Sequence, residues 1–239
     1  MMRVCRVGAF LASLCLLSAC ATTSQRMPGV SDHPGDFRYP NETENLVLVD
    51  THVYDEPLLG ISLKYRDKTY HFDLIDVYVY PIGKVSWEDA IPVLKEETAR
   101  AVQEIDAAVK RGIYLSQQTY GGALEIALFA GTREYRGVKL QTEITTRENA
   151  VFASLIYLFI QQDKFIKFRV SKIKAMDGIS PDTDYALAEI LAELVVPPES
   201  RYMAILRQRK REETANQLLK LIQQALESKN GEGTTEAGK

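Results

Sequence analysis

Two short stretches of this 239-residue chain set side chains where they could do chemistry together. Asp50-Thr51-His52 and His71-Phe72-Asp73 each hold a histidine and an aspartate two residues apart. On a strand, residues two apart share a face, so each stretch presents an imidazole and a carboxylate on one side. Were the two strands neighbours, Asp50, His52, His71 and Asp73 would offer four ligands for zinc, which activates water for hydrolysis. The spacing matches no recognised zinc motif, and solvent-facing positions at strand ends are the simpler account, so no metal or other cofactor is expected. His33, the remaining histidine, lies in a stretch rich in proline and glycine.

Other combinations carry less. Ser116-Gln117-Gln118-Thr119 before Gly121-Gly122 has neither a nucleophile elbow nor a phosphate-binding glycine pattern, and is expected to be a loop leading into a strand. Asp73 with Asp76, or Glu125 with Glu143, are carboxylates of the kind strand surfaces solvate routinely. Tyr78, Tyr80, Trp87 and Tyr114 are candidates for an aromatic pocket, although core packing and half-exposed strand tyrosines explain them more simply. The basic run Arg207, Arg209, Lys210 and Arg211 is followed by Glu212 and Glu213, and pairs at three- and four-residue spacing would neutralise it. No catalytic set is expected.

The elements that must position these residues are legible in the patterning. Leu46 to Asp50 is a short apolar strand. Ile61, Leu63 and Tyr65 alternate with polar residues, as on a half-buried strand. From Ile75 to Tyr80 both faces become apolar or aromatic, which a bulge or burial on both sides would explain. Ser86-Trp87-Glu88-Asp89 has the form of a capping box, and an amphipathic helix follows over 87–110, stopped by Gly112. A meander comes next: Leu124 to Leu128, Val138 to Ile144, Val151 to Ile160, and Ile166 to Val170 with Lys167, Arg169 and Ser171 facing out. The run from Val151 to Ile160 is apolar almost throughout and is expected to be the central strand.

Ser180-Pro181 opens a second helix, which Pro197-Pro198 breaks, and Ser200 caps a third reaching about Glu227. This last helix has an interrupted apolar stripe. Tyr202, Ile205 and Leu206 form one patch; Leu218, Leu219, Ile222, Ala225 and Leu226 form another, with Arg207 to Thr214 between them. Either the helix bends and returns the second patch to the domain, or it overhangs and offers Leu218, Leu219, Ile222 and Leu226 to a partner. The bend is the expected arrangement, because an exposed apolar patch invites aggregation.

Strands, helix, meander, helices in that order specify an α+β fold with an antiparallel sheet covered by helices, an α/β/α sandwich. The order of elements resembles that of Mog1/PsbP-like domains. One domain is expected over 46–228, preceded by a flexible tether over 20–45 with Pro28, Gly29, Pro34, Gly35 and Pro40, and followed by a disordered tail over 229–239. Phe37 and Tyr39 are placed to dock the end of the tether.

The N-terminus supplies the address. Arg3 and Arg6 precede an apolar run from Val7 to Leu17, too short to span a bilayer and laid out like an export signal. Leu17-Ser18-Ala19-Cys20 then resembles the lipobox of bacterial lipoproteins. The resemblance implies cleavage of residues 1–19 and lipidation of Cys20. It also implies an anchor in the outer membrane facing the periplasm, since no aspartate follows the cysteine. Removing Arg3 and Arg6 leaves 27 basic against 32 acidic residues, a net charge near −5, with no general attraction to nucleic acid. Cys5 and Cys15 leave with the signal, so the mature chain has neither disulfide nor free thiol. The expected function is that of a non-enzymatic lipoprotein binding another envelope component, as an assembly factor, accessory factor, or immunity or inhibitor protein. The alternatives are a periplasmic metal-dependent hydrolase and a carrier of an apolar ligand.

Overall fold

A computed structural model describes residues 37–56, 58–70, 73–173 and 183–232, with the side chains of the last helix as far as Gln224. Its centre is a seven-stranded antiparallel sheet. The strands are β1 (Leu46–Val53), β2 (Ile61–Asp67), β3 (Leu74–Pro81), β4 (Tyr114–Ala130), β5 (Arg133–Thr146), β6 (Val151–Gln161) and β7 (Lys164–Ile173). They lie in the order β1-β2-β3-β7-β6-β5-β4, so two hairpin systems meet where β3 pairs with β7. Three helices complete the described chain: α1 (Ala90–Lys110), α2 (Thr183–Glu193) and α3 (Arg201–Glu232).

The period-two patterning divides the residues between the two faces. Leu63, Tyr65, Val77, Phe159 and Phe168 point to one side, where Leu187, Ile190 and Leu191 of α2 cover them; all are essentially inaccessible to solvent. On the other side Val138, Leu140, Ile156 and Leu158 meet Leu94, Ala101 and Ile105 of α1, and Met203 from the first turn of α3. α1 covers mainly β4, β5 and β6, and leaves the β1–β2–β3 part of its face open. Helices therefore lie on both faces, without covering the sheet completely.

Several expectations need correction. The central strand is β7, with β6 beside it, because the β3–β7 pairing places the first hairpin system against β7. The stretch 116–122 is strand and not loop: it lies inside β4, paired with β5 through Thr119–Thr142, and Gly121 and Gly122 sit in a bulge between Tyr120 and Leu124. Its polar alternation is that of an edge strand with little to bury. Residues 37–45, assigned to the tether, pack on the domain, where Phe37 and Tyr39 dock as expected. Phe37 is buried with Tyr39 against the α2-side core, Arg38 bridges Val195, and the Tyr65 hydroxyl donates to the Pro40 carbonyl at 2.7 Å. At α1 the expected capping box does not form: Ser86 donates to the Glu88 carboxylate, and Asp89 occupies the cap without a side-chain bond. The stop at Gly112, with φ +69°, is as expected.

α3 does not bend. It is one 32-residue helix, and after Arg207 every side chain described on it is exposed. Its start, in contrast, is fixed. Ser200 Oγ accepts from the Met203 amide at 3.1 Å, and Asp163 Oδ2 accepts from the Ser200 amide at 2.9 Å. Lys164, at the start of β7, pairs with Asp163 in the turn between β6 and β7 and donates to the Pro197 and Pro198 carbonyls in the segment before α3; both charged side chains are buried. Arg207 lies 4.9 Å over the Trp87 ring, whose indole N–H donates to the Gln162 carbonyl. The extended helix also carries residues 229–232, expected to belong to the tail.

Candidate functional site

The uncovered part of the α1 face is a cleft of about 730 Å³. β3 and β7 make its floor. Because Tyr78 and Tyr80 alternate with Val77 and Val79, both tyrosines point into it; for the same reason Lys167 and Arg169 do so between Ile166, Phe168 and Val170. The register sets Tyr78 opposite Lys167 and Asp76 opposite Arg169. α1 supplies one wall with Glu97, Arg100 and Glu104. The loop between β1 and β2 supplies another, with Tyr54, Leu58 and Leu59. That loop is closed by a bond from the Tyr54 amide to the Gly60 carbonyl at 3.0 Å. Gly60 has φ +63°, and a Cβ there would meet the Val79 carbonyl oxygen at 2.0 Å, so only glycine fits. Ile113 and Tyr114 close the end.

The buried charges are held in a network. The Tyr80 hydroxyl donates to Glu97, which Arg100 clasps through Nε at 2.8 Å; Arg100 also reaches Glu104. Lys167 Nζ lies 3.6 Å from Glu104 and stacks over the rings of Tyr78 and Tyr80 at 5.1 and 5.4 Å. Arg169 donates to the Tyr114 hydroxyl at 3.1 Å and stacks on the same ring. Desolvation pushes the Tyr78 phenol up to about 12, and burial together with the adjacent Glu97 charge pushes Tyr80 higher still. Burial lowers Lys167, with Glu104 and Glu97 opposing it, and raises the Asp76 carboxyl. Lys167 and Arg169, expected to face open solvent, thus face a cleft, where tyrosine rings and carboxylates offset the cost of their burial. The sequence signal for this was two pairs at strand spacing, Tyr78 with Tyr80 and Lys167 with Arg169. Three of the four aromatics suggested for a pocket, Tyr78, Tyr80 and Tyr114, line the cleft; Trp87 instead braces the base of α3.

The four candidate metal ligands are not assembled by the described residues. Asp50 and His52 are exposed on the edge strand β1, where they pair with Lys64 and Ser62. Asp73 lies beyond the Arg66–Leu74 pair, at the far end of the β2–β3 hairpin, and β2 separates β1 from β3. His71 lies outside the described residues. No group of three or more metal-ligating side chains occurs among those described. His52 instead meets the Tyr54 ring edge-on at 4.5 Å. Of the paired carboxylates, Glu125 accepts from Lys95 and Glu143 from Tyr120.

The candidate partner residues Leu218, Leu219 and Ile222 are 57, 62 and 48% exposed, and Leu221, not singled out from the sequence, is 62% exposed. The side chain of Leu226 is outside the described residues, as is Cys20. The residues that carry the proposed lipid and part of the proposed metal site are therefore untouched by the geometry.

No family model matches the chain, and neither does any curated protein. Among solved structures, the solution structure of cyanobacterial PsbP from Synechocystis is similar at 15% identity, covering 76% of this chain and 99% of that one with a TM-score of 0.41. It is a weak likeness of fold and says nothing of function.

Proposed function

We propose that this chain is a lipid-anchored envelope protein, held through Cys20 in the outer membrane on its periplasmic side, that binds another envelope component without catalysing a reaction. The anchor rests on the Leu17-Ser18-Ala19-Cys20 resemblance. The observation that carries the binding role is the free length of α3. From Gln208 onward it extends roughly 35 Å at 1.5 Å per residue, with Leu218, Leu219, Leu221 and Ile222 exposed. Most helical stability in proteins comes from packing an amphipathic face, which these exposed turns do not do within the described domain. A strip of leucines on such a helix gains stability when another apolar helix packs against it. Its partner is accordingly an amphipathic helical segment of an envelope protein.

Two experiments test the reading. Cells given a labelled fatty acid should label the wild type and not Cys20→Ala; equal labelling refutes the anchor. A photocrosslinking residue at Leu219 in intact cells should give a discrete adduct with a membrane-associated protein, and one at Glu213 should not. Adducts of equal yield at both positions would remove the leucine strip from the account, and an adduct of twice the chain's own mass would make the partner a second copy.

A further inference from the structure

The two edges of the sheet are finished differently. At β1, residues 41–43 turn back along the outer side: the Leu48 amide donates to the Asn41 carbonyl and the Thr43 amide to the Leu46 carbonyl, both at 2.9 Å. The register then slips at Val49, and exposed Asp50 follows. A covered edge, a bulge and a charge all deter a further strand. β4, at the opposite edge, carries no charge over residues 112–124 and no proline anywhere. Its single charged residue, Glu125, pairs with Lys95. Among the described residues no strand pairs with its outer side. Alternate residues of such a strand direct N–H and C=O outward, where water or another strand must satisfy them.

Two irregularities frame the regular part of this edge. The register of β4 on β5 shifts between Tyr114 and Ser116 and again between Tyr120 and Leu124, leaving an unbroken run from Ser116 to Tyr120. Gln118 is its midpoint, and the run matches itself in reverse. With Gln118 opposite its own copy, Gln117 falls opposite Thr119 and Ser116 opposite Tyr120. Every one of these side chains is uncharged and able to hydrogen-bond. Residues opposite one another on antiparallel strands share a face, so both faces of the sheet continue across the join. One position further out, Leu115, 52% exposed, arrives at Gly121, where a Cβ would meet nothing within 4 Å.

We infer that β4 is a homodimer interface, in which the β4 strands of two copies pair antiparallel across a two-fold axis at Gln118. A second copy is the occupant this edge specifies, because only the same strand in reverse brings Leu115 to Gly121 at both ends. With β1 covered, the pairing closes at two chains and does not run on as a filament. It uses neither Cys20 nor the leucine strip of α3, and stands or falls apart from both.

A photocrosslinking residue at Ser116, in the full chain in intact cells, tests this. It should give an adduct of twice the chain's own mass, and the same residue at exposed Thr51 on β1 should not. Gln118→Lys sets two ammonium groups against each other across the axis, and should lower the yield of that adduct roughly tenfold at an unchanged protein level. Gln118→Glu should do likewise. The two variants expressed together should restore the yield, which also shows that each is folded. The double variant Leu219→Ser with Ile222→Ser should give the wild-type yield. The proposal is overturned if no adduct of double mass forms at Ser116, if Thr51 gives it equally, or if Gln118→Lys keeps the full yield. It is equally overturned if the mixed charges do not restore the adduct, or if loss of the α3 leucines abolishes it.

Discussion

The two parts of α3 are built on opposite principles. Its first two turns are held by the most buried ionic group among the described residues: Asp163 and Lys164, 2 and 6% exposed at the side chain, tie the Pro197-Pro198 carbonyls and the Ser200 cap to the turn between β6 and β7. The side chains of the following turns are exposed as far as Gln224, and the contacts described for them run along the helix itself, as in Lys210 with Glu213 and Gln208 with Glu212. Such exposed pairs contribute only about 0.3–0.5 kcal/mol each. A helix mounted firmly at one end and apolar at the other is suited to presenting its free end at a fixed position. An internal core element would bury both.

The largest effect should come from breaking the mount. Asp163→Ala leaves the Lys164 ammonium buried without its carboxylate and removes an acceptor from the cap; it should cost about 3–5 kcal/mol, read by urea unfolding. A loss under about 1 kcal/mol would mean that α3 is not held through this turn. Ser200→Ala deletes only the bond to the Met203 amide and should cost about 1 kcal/mol.

A smaller effect, read by sign, comes from the cleft. Burial raises Asp76 above its ordinary value of 3.8, so the folded state favours the neutral carboxyl. The stability this contributes is present below pH 3.8 and lost as the pH rises through the raised folded value. Asn at 76 has no proton to lose. The stability of Asp76→Asn relative to wild type should therefore increase between pH 3.5 and 7, in urea midpoints measured across that range. A difference that shrinks with pH would mean that Lys64 and Arg169 outweigh the burial.

How much of this was legible in the sequence follows from what each feature depends on. Strand alternation at Ile61–Tyr65 and Val138–Ile144, and the helical spacing from Ile91 to Val109, are local, and they specify the antiparallel sheet and α1 directly. Strand order is not local, so β6 looked central because it is the most apolar run, although β7 occupies the centre with charged residues on one face. The cleft was hidden for the same reason: Lys167 and Arg169 look like solvent-facing positions until β3 brings Tyr78 and Asp76 beside them. Residues 37–45 have tether-like composition in which Phe37 and Tyr39 alone signal docking; the contacts with Tyr65 and α2 that place the rest depend on the fold. The second leucine patch of α3 was legible, together with the gap before it. Choosing between bend and overhang needed the path of the helix, since nothing between Arg207 and Thr214 breaks it.

The central claim is that the distal turns of α3 serve a partner and not the domain's own core. Urea unfolding of a chain stopped after Arg211, compared with the full chain, measures this directly. Every side chain described after Arg211 is exposed, so the account predicts unfolding free energies that agree within about 0.5 kcal/mol, as surface changes usually do. A loss of several kcal/mol on removing Leu218, Leu219 and Ile222 would show that they are buried in the protein itself, and would contradict it.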